Sequence, residues 1–272
     1  MPMPPHVPVD VAGTALDDLV VIPMLKDRFP DLLDNYGYLA RVGDRVIAID
    51  CARARPYLDA AAAMGWAITD VLLTHHHPDH VAGVDDLRQV TGAAVRGNAA
   101  DAKRLPRLDR PLSPGDAFDL GGATVAVRDV SGHTIGHVAY FLDGIAFTGD
   151  SLMAAGCGRL FEGTPERMHA SLALFDDLPD DHLVASGHEY TLSNLAFARS
   201  LEPDNADLTS RVAHVEGTLA AGVPTVPSSL GLERRTNPFL RSHVTAVKRA
   251  TGTEGQPDTA TFAAARRMKD AF

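Results

Sequence analysis

Short apolar runs separated by turn residues fill the first two-thirds of the chain, and their period switches between two and the helical value. "YGYLARV" (36–42) and "RVIAID" (45–50) predict two strands joined at Gly43-Asp44, and "VAYFLDGIAFTGD" (138–150) predicts another pair about Asp143-Gly144. "ATVAVRDV" (123–130) alternates apolar and polar positions, as a half-buried strand does. Between them, "PYLDAAAAMG" (56–65) predicts a helix opened by Pro56 and stopped by Gly65, and "HVAGVDDLRQVTG" (80–92) predicts one closed by Gly92. After His188 the period is helical in "SNLAFARSL", "ADLTSRVAHVEGTLAAG" and "TATFAAARRMKDAF", with no strong strand candidate. The pattern predicts a mixed, strand-dominated unit over 1–190 and a smaller, mainly helical one over 191–272.

Charge follows the same division. The last 82 residues hold 10 Lys and Arg against 8 acids, a net of +2, whereas the first 190 hold 15 against 27, a net of −12. Nucleic-acid binding needs clustered cations, so an acidic main unit excludes it from the expected partners, and any anionic ligand must find a local basic patch. Two cysteines, Cys51 and Cys157, make a disulfide framework improbable. "MPMPPHVPVD" has no basic start or apolar core, and no apolar run approaches twenty residues, so neither secretion nor a membrane association is expected. The expectation is a cytoplasmic protein with no obligate protein partner.

The stretch "LLTHHHPDH" (72–80) concentrates the chemistry. Val71 to Thr74 reads as a short buried strand, and Pro78 continues neither a ladder nor a helix, so the histidines are expected on a loop at a strand end. His75, His77, Asp79 and His80 form an H-x-H-x-D-H pattern of imidazole and carboxylate donors that suits zinc, with iron and manganese as alternatives. His76, between two of them, is expected to point away. Further donors follow later apolar runs: His133 in "SGHTIGH", Asp150 in "FTGDS" and His188 in "VASGHEY". Seven donors exceed the need of one tetrahedral ion. Two divalent ions about 3.5–4 Å apart account for the excess, with Asp150 as the natural bridge because a carboxylate has two oxygens. His137 is expected in a supporting position.

A water shared by two cations loses its proton near neutral pH, which supplies a hydroxide nucleophile. Asp79 is expected to orient it. Cys157 lies in a glycine-flanked turn with no free histidine to activate it, and reads as a packed thiol.

These residues resemble the metallo-beta-lactamase superfamily. Within it, "AGCGRLFEGT" (155–164), "GHEYTLSNLAFARSLEPDN" (187–205), "NPFLR" (237–241) and "ARRMKDAF" (265–272) resemble glyoxalase II, the hydroxyacylglutathione hydrolases. The resemblance implies an α+β fold, a four-layer αββα sandwich followed by a smaller helical domain. It divides the ligands, with His75, His77 and His133 on one ion, Asp79, His80 and His188 on the other, and Asp150 between them. It also implies a glutathione thioester substrate, S-D-lactoylglutathione and related 2-hydroxyacyl thioesters, held by Arg159, Phe161, Tyr190, Arg266 and Lys269. Arg266 and Lys269 would meet a glutathione carboxylate together, three residues apart on one helical face. Phe161 occupies a position where some family members carry tyrosine, and "MLKDRFPDLLDNY" (24–36) is longer than the usual turn before "DNY". A glutathione persulfide dioxygenase and a lactonase are the alternatives on the same scaffold.

Overall fold

Two sheets stack face to face in the computed structural model, which describes residues 1–272. The first runs in chain order: β1 (Val7–Val9), β2 (Asp18–Met24), β3 (Asn35–Val42), β4 (Arg45–Ile49), β5 (Asp70–Leu72), β6 (Ala94–Asn98) and β7 (Arg110–Leu112). β1 to β4 pair antiparallel, and β4 to β7 pair parallel. Parallel neighbours require a crossover. Helix α1 (Ala54–Met64) makes the crossover after β4, and α2 (Pro78–Val81) with α3 (Val84–Thr91) makes the one after β5.

The second sheet begins as an antiparallel meander of β8 (Ala117–Leu120), β9 (Ala123–Asp129), β10 (Val138–Leu142) and β11 (Ile145–Gly149). A ribbon of β12 (Leu152–Met153) and β13 (Gly156–Cys157) and helix α4 (Pro165–Leu172) then lead to β14 (Leu183–Ser186), parallel to β11. Helices α5 (Thr191–Leu201) and α6 (Ala206–Ala220) follow, then β15 (Ser228–Ser229), α7 (Leu230–Thr236), α8 (Thr245–Ala250) and α9 (Asp258–Ala271). β15 adds an edge to the second sheet beside β14. Two residues are too few to carry a period, which is why the helical pattern after His188 conceals it.

Apolar contacts bind four layers. Between the sheets lie Val21, Tyr38, Ile47, Val125, Tyr140 and Phe147. The outer face of the first sheet packs Val20, Ile22, Ala48 and Val71 against Tyr57 and Ala60 of α1 and Leu87 of α3. Ala146 and Val184 on the outer face of the second sheet meet Met168 of α4, Phe197 of α5 and Phe262 of α9. The helices after residue 191 thus share their core with the second sheet.

The helix expected over 80–92 is interrupted. Gly83 approaches the start of α1 so closely that a Cβ there would lie 2.7 Å from the Ala54 nitrogen, and its N–H donates to the Cys51 carbonyl (2.9 Å). α2 and α3 diverge at that contact, while Gly92 closes α3 in the left-handed region as expected. Pro78 is the first residue of α2 and not a loop residue. Its fixed φ and missing N–H suit that position, so Asp79 and His80 stand on a helical turn, and only His75 to His77 keep the expected loop.

Candidate metal centre

Strand direction gathers the donors. β9, β11 and β14 point the same way in the second sheet, so His133, Asp150 and His188 emerge at one end. β5 delivers His75 and His77 to that end from the first sheet, and the Val138 N–H bonds the Thr74 carbonyl (2.9 Å) across the gap. Glycine makes the approach possible: a Cβ at Gly187 would lie 2.6 Å from His80 Cε1 and 2.7 Å from Asp150 Oδ1.

The seven donors form two triads about one carboxylate. Ligand atoms of His75, His77 and His133 lie within 4.8 Å of one another, as do those of Asp79, His80 and His188. His77 Nδ1 is 3.1 Å from His75 Nε2 and 2.9 Å from His133 Nε2. His80 Nε2 and His188 Nε2 are 3.3 Å apart. Asp150 reaches both sets, with Oδ2 3.4 Å from His133 Nε2 and 3.2 Å from His188 Nε2, and Oδ1 3.4 Å from His80 Nε2.

The outward nitrogens are already bonded. His80 Nδ1 faces Asp50 Oδ2 (2.7 Å), His133 Nδ1 faces the Arg159 carbonyl (2.7 Å), and His188 Nδ1 faces the Leu33 carbonyl (3.0 Å). Oxygens of this kind only accept, so these Nδ1 atoms carry the protons and each Nε2 presents a lone pair inward. Burial pushes His75 and His133 below the usual imidazole range and His77 to about 4, favouring neutral, donor-ready rings. Burial opposes charge on His80 too, but Asp150 and Asp50 outweigh it and hold that ring high. Burial likewise opposes the Asp150 carboxylate, yet His188 and His80 keep it well below the usual range. Both pulls show a pocket that demands positive charge.

A divalent cation meets that demand better than a proton. The inward Nε2 lone pairs of His80 and His188, 3.3 Å apart, repel, and Asp150 Oδ1 is buried without a hydrogen-bond donor, an arrangement that is costly without a positive partner. The residues present therefore fit a divalent metal.

Two side chains that the sequence reading omits support the triads. Asp50 takes the His80 proton on Oδ2 and the Thr74 N–H on Oδ1 (2.8 Å), while the Thr74 hydroxyl, 3.1 Å from His75 Nδ1, donates to Oδ2 (2.8 Å). One carboxylate thus orients a ring in each triad. Its signal was present: Asp50 ends the apolar run "RVIAID", just as Asp150 follows "IAFTG". Asn35 Nδ2 donates to Asp79 Oδ2 (3.0 Å) and to its carbonyl (3.2 Å). His137 stacks on His75 and accepts the Asp150 N–H at Nε2 (3.1 Å), which places it in support. His76 turns outward to Asp101 (3.2 Å).

A cleft of about 320 Å³ opens over the centre, lined by His77, Asp79, His133, Asp150 and His188 at its floor. Arg159, Phe161, Tyr190, Arg266 and Lys269 all border it. A larger cleft of about 480 Å³, bordered by His169, Phe239 and His243, holds none of these donors, so size does not locate the chemistry. Phe161 stands edge-on to His77 and His133 (5.5 and 5.3 Å), and Tyr190 stacks on His188 (4.7 Å).

Arg266 and Lys269 share a face of α9 but face different partners. Arg266 is buried with its guanidinium over the Phe239 ring; it donates to the Cys157 carbonyl (2.8 Å) and to Asp270 Oδ1 (2.9 Å). The carboxylate it meets is therefore one of the chain's own. Lys269 Nζ reaches Ser193, 3.0 Å from both its carbonyl and its hydroxyl. Cys157 is buried, and burial pushes its thiol up to about 11, consistent with a packed, unreactive sulfur.

Sequence comparison adds family to geometry. The family model described as "Metallo-beta-lactamase superfamily" matches residues 31–207, and "Hydroxyacylglutathione hydrolase C-terminus" matches 189–272. A Ruegeria pomeroyi protein named hydroxyacylglutathione hydrolase is 51% identical over 247 residues, 89% of this chain and 97% of that protein. A Cereibacter sphaeroides protein of the same name is 49% identical over 257 residues, 94% and 99%. Among solved structures, "TTHA1623 in a di-iron-bound form" superposes with a TM-score of 0.57 at 27% identity, over 76% of this chain and 96% of that one.

Proposed function

We infer the activity from a chain that belongs to the metallo-beta-lactamase superfamily and, within it, to the hydroxyacylglutathione hydrolases: it hydrolyses S-(2-hydroxyacyl)glutathiones to glutathione and a 2-hydroxy acid, S-D-lactoylglutathione foremost. The observation that carries this reading is the pair of donor triads about Asp150 at the floor of a cleft walled by α9. The centre binds divalent metal. We propose two ions, zinc first and iron or manganese as substitutes, since His and carboxylate donors accept all three.

When bound, the cations supply Lewis acidity toward the thioester carbonyl and acidify water near neutral pH. The chain's residues position the rest. Burial opposes charge on Asp79, but His80 and the Asn35 amide hold its carboxylate below the usual range, so it is an acceptor at neutral pH. Its carboxylate, at the floor of the cleft, would take a hydrogen bond from the attacking water and aim it at the carbonyl carbon. Water adds there, the C–S bond breaks, and the sulfur leaves with the electron pair and takes up a proton. Asp150 fixes the spacing of the triads. Arg159 and Lys269 face the peptide carboxylates, Tyr190 offers its hydroxyl, Phe161 supplies apolar contact, and Arg266 holds Asp270 and the Cys157 carbonyl in place. In this division 1–190 carries every ligand and 191–272 contributes the substrate contacts of α9.

No helix is long and apolar enough to cross a membrane. We propose a cytoplasmic place, supported by two free cysteines, and no nucleic-acid partner, supported by the acidic main unit.

The test is steady-state hydrolysis of S-D-lactoylglutathione, with metal content measured on the same sample and Asp150→Ala as control. Turnover that disappears with Asp150 and accompanies close to two metals per chain is the expected result. A fully metallated protein without turnover refutes the thioesterase reading.

A further inference from the structure

The loop between β2 and β3 borders the cleft through Leu33, a residue that the roles above leave unused. Its tip is held at several points. Leu32 is buried, the Arg53 guanidinium pairs with Asp31, and the Lys26 N–H donates to Asp34 Oδ1 (2.7 Å). Leu33 follows in this frame with its N–H on Asn35 Oδ1 (3.0 Å) and its carbonyl on His188 Nδ1 (3.0 Å). It borders the cleft and is 49% exposed although its backbone is fastened at both polar atoms.

Position gives that side chain a task. The substrate has three parts: the peptide with its carboxylates, the thioester, and the acyl tail. The thioester lies over the metal floor. The cations given to the peptide carboxylates, Arg159 and Lys269, come from the 158–163 loop and α9, and Phe161 shares the first of these with Arg159. No cation of the 25–34 loop borders the cleft. Leu33 therefore offers apolar surface beside Asp79 and His188 without a partner for the peptide's charges.

We propose that Leu33 is a specificity-determining residue for the acyl group, packing on the tail beyond the 2-hydroxy carbon and favouring 2-hydroxyacyl groups with apolar tails longer than the methyl of lactoyl. The proposal rests on the thioesterase reading. A pocket of this kind discriminates by one methylene to the extent of roughly 10–200-fold when the contact is fully enclosed. A half-open wall gives much less than an enclosed pocket does per methylene, about tenfold in all over three methylenes.

The experiment compares kcat/KM for S-(2-hydroxyhexanoyl)glutathione and S-D-lactoylglutathione in the metallated wild type, Leu33→Ser and Leu33→Met. The hexanoyl-to-lactoyl ratio is expected to fall about tenfold in Leu33→Ser and to recover in Leu33→Met. Reading a ratio separates acyl contact from any disturbance of His188, which lowers both substrates alike. A ratio within twofold of wild type in Leu33→Ser overturns the proposal and leaves the thioesterase reading intact. A wild type that turns over neither thioester refutes both.

Discussion

Asp50 shows how much one side chain decides here. It holds His80 directly and His75 through Thr74, so a single carboxylate sets ring orientation in both triads. Loss of such a partner typically costs 10–100-fold in metal affinity. Asp50→Ala is expected to weaken retention of metal by about that factor in a chelator competition, while the fold persists by circular dichroism. Lys269 supplies a second prediction. Burial, with Arg266 nearby, lowers its ammonium to about 8. A lowered pKa means that charge is lost as pH rises through that value, so an anionic substrate loses its partner on the alkaline side. KM for S-D-lactoylglutathione is expected to climb above pH ~8 with little change in kcat. Lys269→Met should show a high KM throughout and no such rise. The residue scale is also where the sequence was most legible: donor types and spacing in "HHHPDH" pointed to a metal before any fold was known, whereas Asp50 at the end of a predicted strand and Asn35 before one carry no such spacing signal, because their meaning depends on what lies across the gap.

At the scale of elements, the β12–β13 ribbon is tied to the helices by a buried ion pair. The Glu233 carboxylate pairs with Arg211 and accepts the Ala155 N–H (2.8 Å) and the Ser228 hydroxyl (2.6 Å). Asn237, from "NPFLR", donates to the Met153 and Gly156 carbonyls (3.1 and 2.9 Å). Removing one partner leaves a buried charge, at a cost of about 3–5 kcal/mol. Glu233→Ala is expected to lower Tm by roughly 10 °C in calorimetry, at about 2–4 °C per kcal/mol for a chain near this size. Strands and helices with a full period were legible in advance. Exceptions have local causes: α2 is a single turn initiated by proline, and β15 spans two residues beside β14. Neither is long enough to print a pattern.

Over the whole molecule, α5 and α9 cover the second sheet. Phe197 and Phe262 are fully buried with Ala146 and Val184, so the residues after 191 close a core that the first 190 leave open. A chain ending at residue 190 is expected to be insoluble or molten and not an active metalloenzyme. Dispersed amide signals and turnover from that fragment would show otherwise. The change of period near His188 was legible, and so was the change of charge. The shared core was not, because period reveals which face of a helix is apolar and says nothing of what covers it.

By itself the sequence determined the chemical character of this protein: seven imidazole and carboxylate side chains of metal-ligand type placed after apolar runs, an acidic main unit, and a basic helical tail. Those properties belong to residue types and local spacing, which no fold alters. Tertiary structure decided which nitrogens of His80, His133 and His188 face inward, that Asp50 and Asn35 support the triads, and that Arg266 meets Asp270. The reason is physical: these outcomes depend on strand order and on backbone carbonyls far apart in the chain, such as those of Leu33 and Arg159, which come within hydrogen-bonding reach only when both sheets are closed.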